Sequence, residues 1–229
     1  MDQMKRYAVY YAPRPGAFAT RAAAWLGWDV ALGQPVAQPD LPGLPAPAAL
    51  LTADPRKYGF HGTIRAPFRP AAGQTGTDIA DTVAHLAHSL PPCVCDGLHL
   101  EILHGFLALT PTGDETALLA LGAAVVEGTN ALRAPLTAAE VAKRRPESLN
   151  PRQRELLDRW GYPHVMEAFR FHLTLTSRLP ADQADQAATV LRDHFAPVLP
   201  QPFVIKDLCL FGEDAAGCFH LLHRYPLSG

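Results

Sequence analysis

The chain has 229 residues, 48% of them hydrophobic and 18% charged, at a mean hydropathy of zero. That composition excludes a disordered chain and a helical membrane protein, and the length suits one sizeable domain or two small lobes sharing a core. A net charge of −2 argues against a face that tracks extended nucleic acid, whereas a few local arginines suffice for one small phosphate. The opening residues 1–6 contain no apolar leader segment, and no apolar run approaches the roughly 20 residues needed to cross a bilayer, so the expected location is the cytoplasm, with no membrane partner.

In chain order, Arg6 to Ala12 reads as a strand and residues 17–27 as an alanine-rich helix stopped by Gly27. Five prolines within residues 34–47 predict a long loop. Tyr58 to Phe68 reads as a strand. Asp78 to Leu90 has apolar residues at helical spacing, at Ile79, Val83, Leu86 and Leu90. Two short strands, 98–103 and 105–110, precede a helix over 116–132. Residues 137–162 form a helical hairpin with a basic rim, in which Asn150, Pro151 and Gln153 make the N-cap of the second helix and Gly161 its stop. Phe169 to Leu179 is a second motif strand, 181–195 a helix, and 203–211 with 219–225 a closing hairpin.

Strand, helix and hairpin therefore occur twice, at 58–110 and 169–225. This internal duplication predicts an α+β fold, a single two-lobed domain over 1–229 with the hairpin at about 137–162 inserted. Each repeat opens on the same phrase, Phe60-His61-Gly62-Thr63-Ile64 and Phe171-His172-Leu173-Thr174-Leu175. Alternation along a strand puts His61, Thr63 and Arg65 on one face, and His172, Thr174, Thr176 and Arg178 on another. The opposite, apolar faces are explained by packing. One copy would be weak, because a lone histidine on a strand is usually a satisfied structural residue; two copies at equivalent places are strong.

Cleaving a phosphodiester without a metal needs a base and an acid, and histidine serves as either near neutral pH. His61 and His172 are the candidate catalytic pair, with no metal and no cofactor expected. Thr63 and Thr174 can donate hydrogen bonds to non-bridging oxygens, and Arg65, Arg178, Thr176 and Lys57 are further candidate substrate contacts. Tyr11 is an open candidate, and Tyr58 falls on the far face by alternation. Arg144, Arg145, Arg152 and Arg154 are read as solvated in preference to a lid. Cys93 and Cys95, with His99 nearby, are read as buried thiols rather than a zinc site. Near-symmetric motifs leave open which histidine is base and which is acid.

The two H-x-T-aliphatic copies resemble the hallmark of the two-histidine phosphoesterase superfamily. That resemblance implies a bilobal LigT-like fold, two antiparallel sheets flanking a central cleft with helices outside, and activity on cyclic phosphates or phosphodiesters. Residues 56–63, 155–163 and 169–176 also resemble the branch of that superfamily associated with phosphonate-metabolism gene clusters. This second resemblance implies a small phosphoribosyl or cyclic phosphate substrate. An RNA 2′,3′-cyclic phosphodiesterase and a non-catalytic phosphate-ligand binding module remain as alternatives.

Overall fold

The computed structural model describes residues 4–229. Residues 1–3, on which the expectation about a leader segment partly falls, lie outside the described residues. Strand β1 (Arg6–Tyr11) leads into helix α1 (Ala17–Leu26), closed by Gly27 at φ 79°. A small hairpin, β2 (Trp28–Asp29) with β3 (Gln34–Pro35), follows, and a single helical turn, α2 (Ala48–Leu51), comes after the proline-rich stretch. Strand β4 (Gly62–Phe68) enters α3 (Gly76–Ser89), after which β5 (Cys93–Cys95), β6 (Gly97–Leu103) and β7 (Phe106–Thr112) run in succession. Helices α4 (Thr116–Thr129), α5 (Ala138–Lys143) and α6 (Pro151–Trp160) come next. Strand β8 (Leu173–Thr174), helix α7 (Ala181–Phe195) and strands β9 (Phe203–Ile205), β10 (Asp207–Glu213) and β11 (Phe219–Pro226) complete the chain. No helix among the described residues is long and apolar enough to cross a membrane.

Capping decides several of these boundaries. Thr75 and Asp78 cap α3 reciprocally, and Asn150 and Gln153 cap α6 as its sequence predicts, through Gln153 N–H to Asn150 Oδ1 (2.8 Å) and Asn150 N–H to Gln153 Oε1 (3.1 Å). The two motif strands are shorter than alternation predicts. Residues 56–58 form a 3₁₀ turn, and Gly59 at φ 67° breaks the strand, so pairing begins at Gly62. The second motif pairs only at Leu173–Thr174, and the closing strand predicted over 203–211 splits at Lys206.

The fold is α+β. Seven antiparallel strands form one sheet in the order β11-β10-β1-β4-β8-β7-β6, with β5 and β9 pairing as a separate ribbon. The sheet has two halves, and the seam between them is the pair of motif strands, with Gly62 opposite Leu173. Each repeat's hairpin lies in the other repeat's half: β6–β7 flanks β8, while β10–β11 joins β4 through β1.

One face of the sheet carries the main core. Val9, Ile64, Leu107, Leu109, Leu173 and Leu210 pack there against Trp25, Val83, Leu121, Val125, Leu191 and Phe195 of α1, α3, α4 and α7. Each such side chain contributes roughly 1.5–3 kcal/mol by leaving water, against about 0–1 for a surface ion pair. Most of this burial is on the helical face; the other face carries a smaller apolar cluster, Tyr10, Cys209, Phe211 and Phe219, on β1, β10 and β11, and polar groups along β4 and β8. Helix α6 packs on α4 through a small second core, Val126, Leu156, Trp160 and Val165, and α5 is tied to the end of β4 by a two-pronged Arg69–Glu140 ion pair at 2.9 Å.

Candidate active site

The face away from the helices opens into a cleft of about 790 Å³ along the β4–β8 seam. Antiparallel pairing of Gly62 with Leu173 sets His61 across from Thr174 and Thr63 across from His172, so the four polar side chains form a square. Directly opposed Cβ atoms in such a pair lie about 5 Å apart and diagonal ones about 7–8 Å, and the two histidines occupy diagonal corners.

Both imidazoles are held in the same way. His61 Nδ1 lies 2.9 Å from the carbonyl of Gly59, and His172 Nδ1 lies 2.9 Å from the carbonyl of Arg170. A carbonyl only accepts, so each Nδ1 carries the hydrogen and each Nε2 keeps a lone pair. The Thr63 hydroxyl lies 3.2 Å from His61 Nε2, within reach to donate to it. Tyr10 of β1 stacks on the His61 ring at 4.0 Å, and Phe106 lies 5.6 Å from the His172 ring. Burial pushes His61 down from 6.5 to about 4, the Gly59 bond opposing this and the neighbouring His172 charge adding to it. Burial lowers His172 as well, against the Arg170 bond. Both rings are therefore neutral at pH 7 before an anion enters.

The sequence-derived candidates mostly converge on this cleft. His61, Thr63, Arg65, Lys57, Thr174, Thr176 and Arg178 line it; His172 is not among the lining residues, although its neighbours Phe106 and Thr174 are. Thr176 is 1% exposed and its oxygen accepts the Leu107 N–H at 2.9 Å, a bond that braces β7. Lys57 reaches the cleft from the 3₁₀ turn and not by strand alternation, its Nζ lying 5.2 Å from the Tyr58 ring centre. Tyr11 points into the main core, against Phe171 and Phe203. Cys93 and Cys95 are buried, and among the described residues no group of three His, Cys, Asp or Glu side chains is placed to hold a metal ion.

Sequence reasoning missed Tyr10, Phe106, Arg133 and Tyr162, and placed Tyr58 on the wrong face. A tyrosine on each face of β1 gave no means of choosing between them. It also favoured solvation for all four arginines of the hairpin. Arg145, Arg152 and Arg154 are exposed, but Arg144 lines the cleft with its guanidinium 4.8 Å from the Tyr162 ring centre. Eight lysines and arginines line the cleft against three carboxylates, in a protein whose net charge is −2. Local charge thus favours an anion where the total does not.

A duplicated His-x-Thr pair on a seven-stranded α+β scaffold defines the class of site. The chain belongs to the family described as a protein of unknown function, DUF1045, whose model matches residues 63–220. Two curated proteins, each named ribose 1,5-bisphosphate phosphokinase PhnN, are 38% identical to it. One, from Janthinobacterium sp. (strain Marseille), covers 100% of this chain and 52% of its own length; the other, from Laribacter hongkongensis (strain HLHK9), covers 96% and 51%. The chain therefore spans about half the length of these relatives. A solved structure described as that of a phosphoesterase aligns over 98% of this chain and 99% of its own, at 13% identity and a TM-score of 0.43, a likeness too loose to argue from.

Proposed function

We propose that this protein is a metal-independent phosphoesterase that hydrolyses a small cyclic phosphate or phosphodiester by acid–base catalysis between His61 and His172. One observation carries the reading: each Nδ1 is tied to a carbonyl two residues back, which fixes the tautomer and leaves the Nε2 lone pair of both rings for the reaction, the Thr63 hydroxyl turning from His61 Nε2 to the substrate when it binds. Water attacks phosphorus as it gives its proton to Nε2 of His61, the more depressed and more enclosed ring. The P–O bond to the leaving oxygen breaks, and His172, protonated once the anionic substrate is bound, supplies that oxygen with a proton. One water is consumed, and a phosphomonoester is left on the opened ring. Thr63 and Thr174 donate to the non-bridging oxygens, where charge builds.

The names of the relatives support a phosphorylated ribose as the scaffold, and the resemblance to the phosphonate-associated branch supports a phosphoribosyl cyclic phosphate in phosphonate metabolism. On this reading the chain acts in the cytoplasm as one catalytic domain with a small phosphorylated partner. The test is turnover of nucleoside 2′,3′-cyclic phosphates and a ribosyl 1,2-cyclic phosphate in the presence of a chelator, with His61→Ala and His172→Ala as comparisons. Ring opening that persists in chelator and falls at least about 100-fold in each variant is the expected result. Dependence on a divalent ion, or activity surviving in both variants, overturns the proposal.

A further inference from the structure

Beyond Thr63 the cleft-facing side of β4 continues to Arg65, one of the largest fully buried side chains, at 1% exposure. Its Nη1 donates to the carbonyl of Trp160 at 2.9 Å, where α6 ends. Its Nε and Nη2 are buried and have no hydrogen-bond partner among the described residues. Nor does a carboxylate neutralise it, because Glu140 gives both its oxygens to Arg69. The charged neighbour is a second cation, Arg133, which together with burial lowers Arg65 to about 10. Among the described residues Arg133 hydrogen-bonds to neutral acceptors, Asn130 Oδ1 and the carbonyls of Ala134 and Arg159, and the charge of Glu140 only partly offsets its burial.

A buried guanidinium with two idle donors and a like charge beside it opposes folding strongly unless an anion compensates it. Both arginines line the cleft, as do Lys143 and Arg144. Arg65 lies three strand residues beyond the middle of the square, roughly 10 Å along the chain, and its Nη1 is held by the Trp160 carbonyl at the end of α6, apart from a phosphate centred between the histidines. We infer that this end of the cleft is a second anion subsite, in which Arg65 and Arg133 take a terminal phosphomonoester of the same small substrate. Two adjacent guanidinium groups match a dianion in charge and in their paired donors. The buried nitrogens meet the anion after the floor side chains adjust, and act on it through a low-dielectric floor before then. The position of the first phosphate rests on the proposed function; the subsite itself rests on Arg65.

Binding of ribulose 1,5-bisphosphate and ribulose 5-phosphate, measured by calorimetry on the full chain, tests this without any turnover. The wild type is expected to bind the bisphosphate at least tenfold more tightly. In Arg65→Met that gap closes to within about twofold, while the ligand-free melting temperature stays level or rises, because no ion pair is lost. In His61→Ala the gap persists. Should Arg65→Met fail to fold, Arg133→Gln reads the same subsite and is expected to narrow the gap. Equal affinities in the wild type, or a gap that survives the arginine substitution, overturns the inference. Hydrolysis without a gap removes the subsite alone, and an Arg65-dependent gap without hydrolysis removes the catalytic reading alone.

Discussion

The two copies of the Phe-His-x-Thr phrase share one fine detail and differ in almost everything around it. Each ties its histidine to the carbonyl two residues back. The first then continues as a seven-residue strand, flanked by β1 and β8, with an aromatic ring stacked on its imidazole and a buried arginine further along. The second is paired over two residues only, has Thr176 at the place of Arg65, and its arginine, Arg178, two residues further on, is exposed. Even the variable position differs, glycine in one and a fully buried leucine in the other. A methyl group on Gly62 would come within 2.2 Å of the Phe171 ring. Phe171, which begins the second phrase, therefore fills the space opposite Gly62 of the first. The two halves share one short pattern, and packing at their seam makes them unequal.

That inequality can be tested, most directly by asking whether the histidines have distinct roles. His172→Ala should lose about 10²–10⁴ in kcat on a poorly departing alkoxide and regain most of it on a p-nitrophenyl phosphodiester, whose leaving oxygen needs no proton. His61→Ala should lose the same range on both substrates. Equal rescue of the two variants would make the histidines equivalent and remove the assignment of base and acid.

A second probe addresses the variable position. Leu173→Ala leaves a void in the core and should cost about 2–5 kcal/mol. Gly62→Ala overfills the seam against Phe171 and should cost about 1–3 kcal/mol. Denaturant unfolding measures both, and a harmless Gly62→Ala would show that the seam yields easily.

The third probe is pH. In the folded protein His61 gives up its proton at about 4 instead of 6.5, so the folded state binds protons less readily than the unfolded chain. Its contribution is complete above about pH 6.5 and is lost as pH falls towards 4, roughly 3 kcal/mol in all. Unfolding free energies at pH 7 and 4.5 should differ by less in His61→Gln than in the wild type. An unchanged difference would mean that His61 is not enclosed.

Much of this site was legible because it is local. Alternation along a strand places His61, Thr63 and Arg65 correctly, and composition alone reads the cap at Asn150 and Gln153. The apolar faces of both phrases do enter the helical core. What escaped depends on distant pairing or on a broken period. Tyr58 falls on the wrong face because Gly59 ends the alternation with a left-handed φ. The hairpin's approach to the cleft is set by Arg69 with Glu140 and by Arg65 with the carbonyl of Trp160, partners far apart in sequence. A sequence pattern can show that residues share a face, but the choice of which strands meet at the seam is tertiary.

The carbonyl that orients each histidine belongs to the histidine's own stretch of chain, two residues upstream. Many catalytic imidazoles borrow a carboxylate from elsewhere in the fold to fix their tautomer; here a tripeptide supplies the whole device. Such a unit is portable. Copying a segment of a few residues into another strand carries an already oriented proton donor or acceptor with it, and only the cleft remains to be found. A fold built by duplication could thus acquire both halves of its acid–base chemistry in a single genetic event.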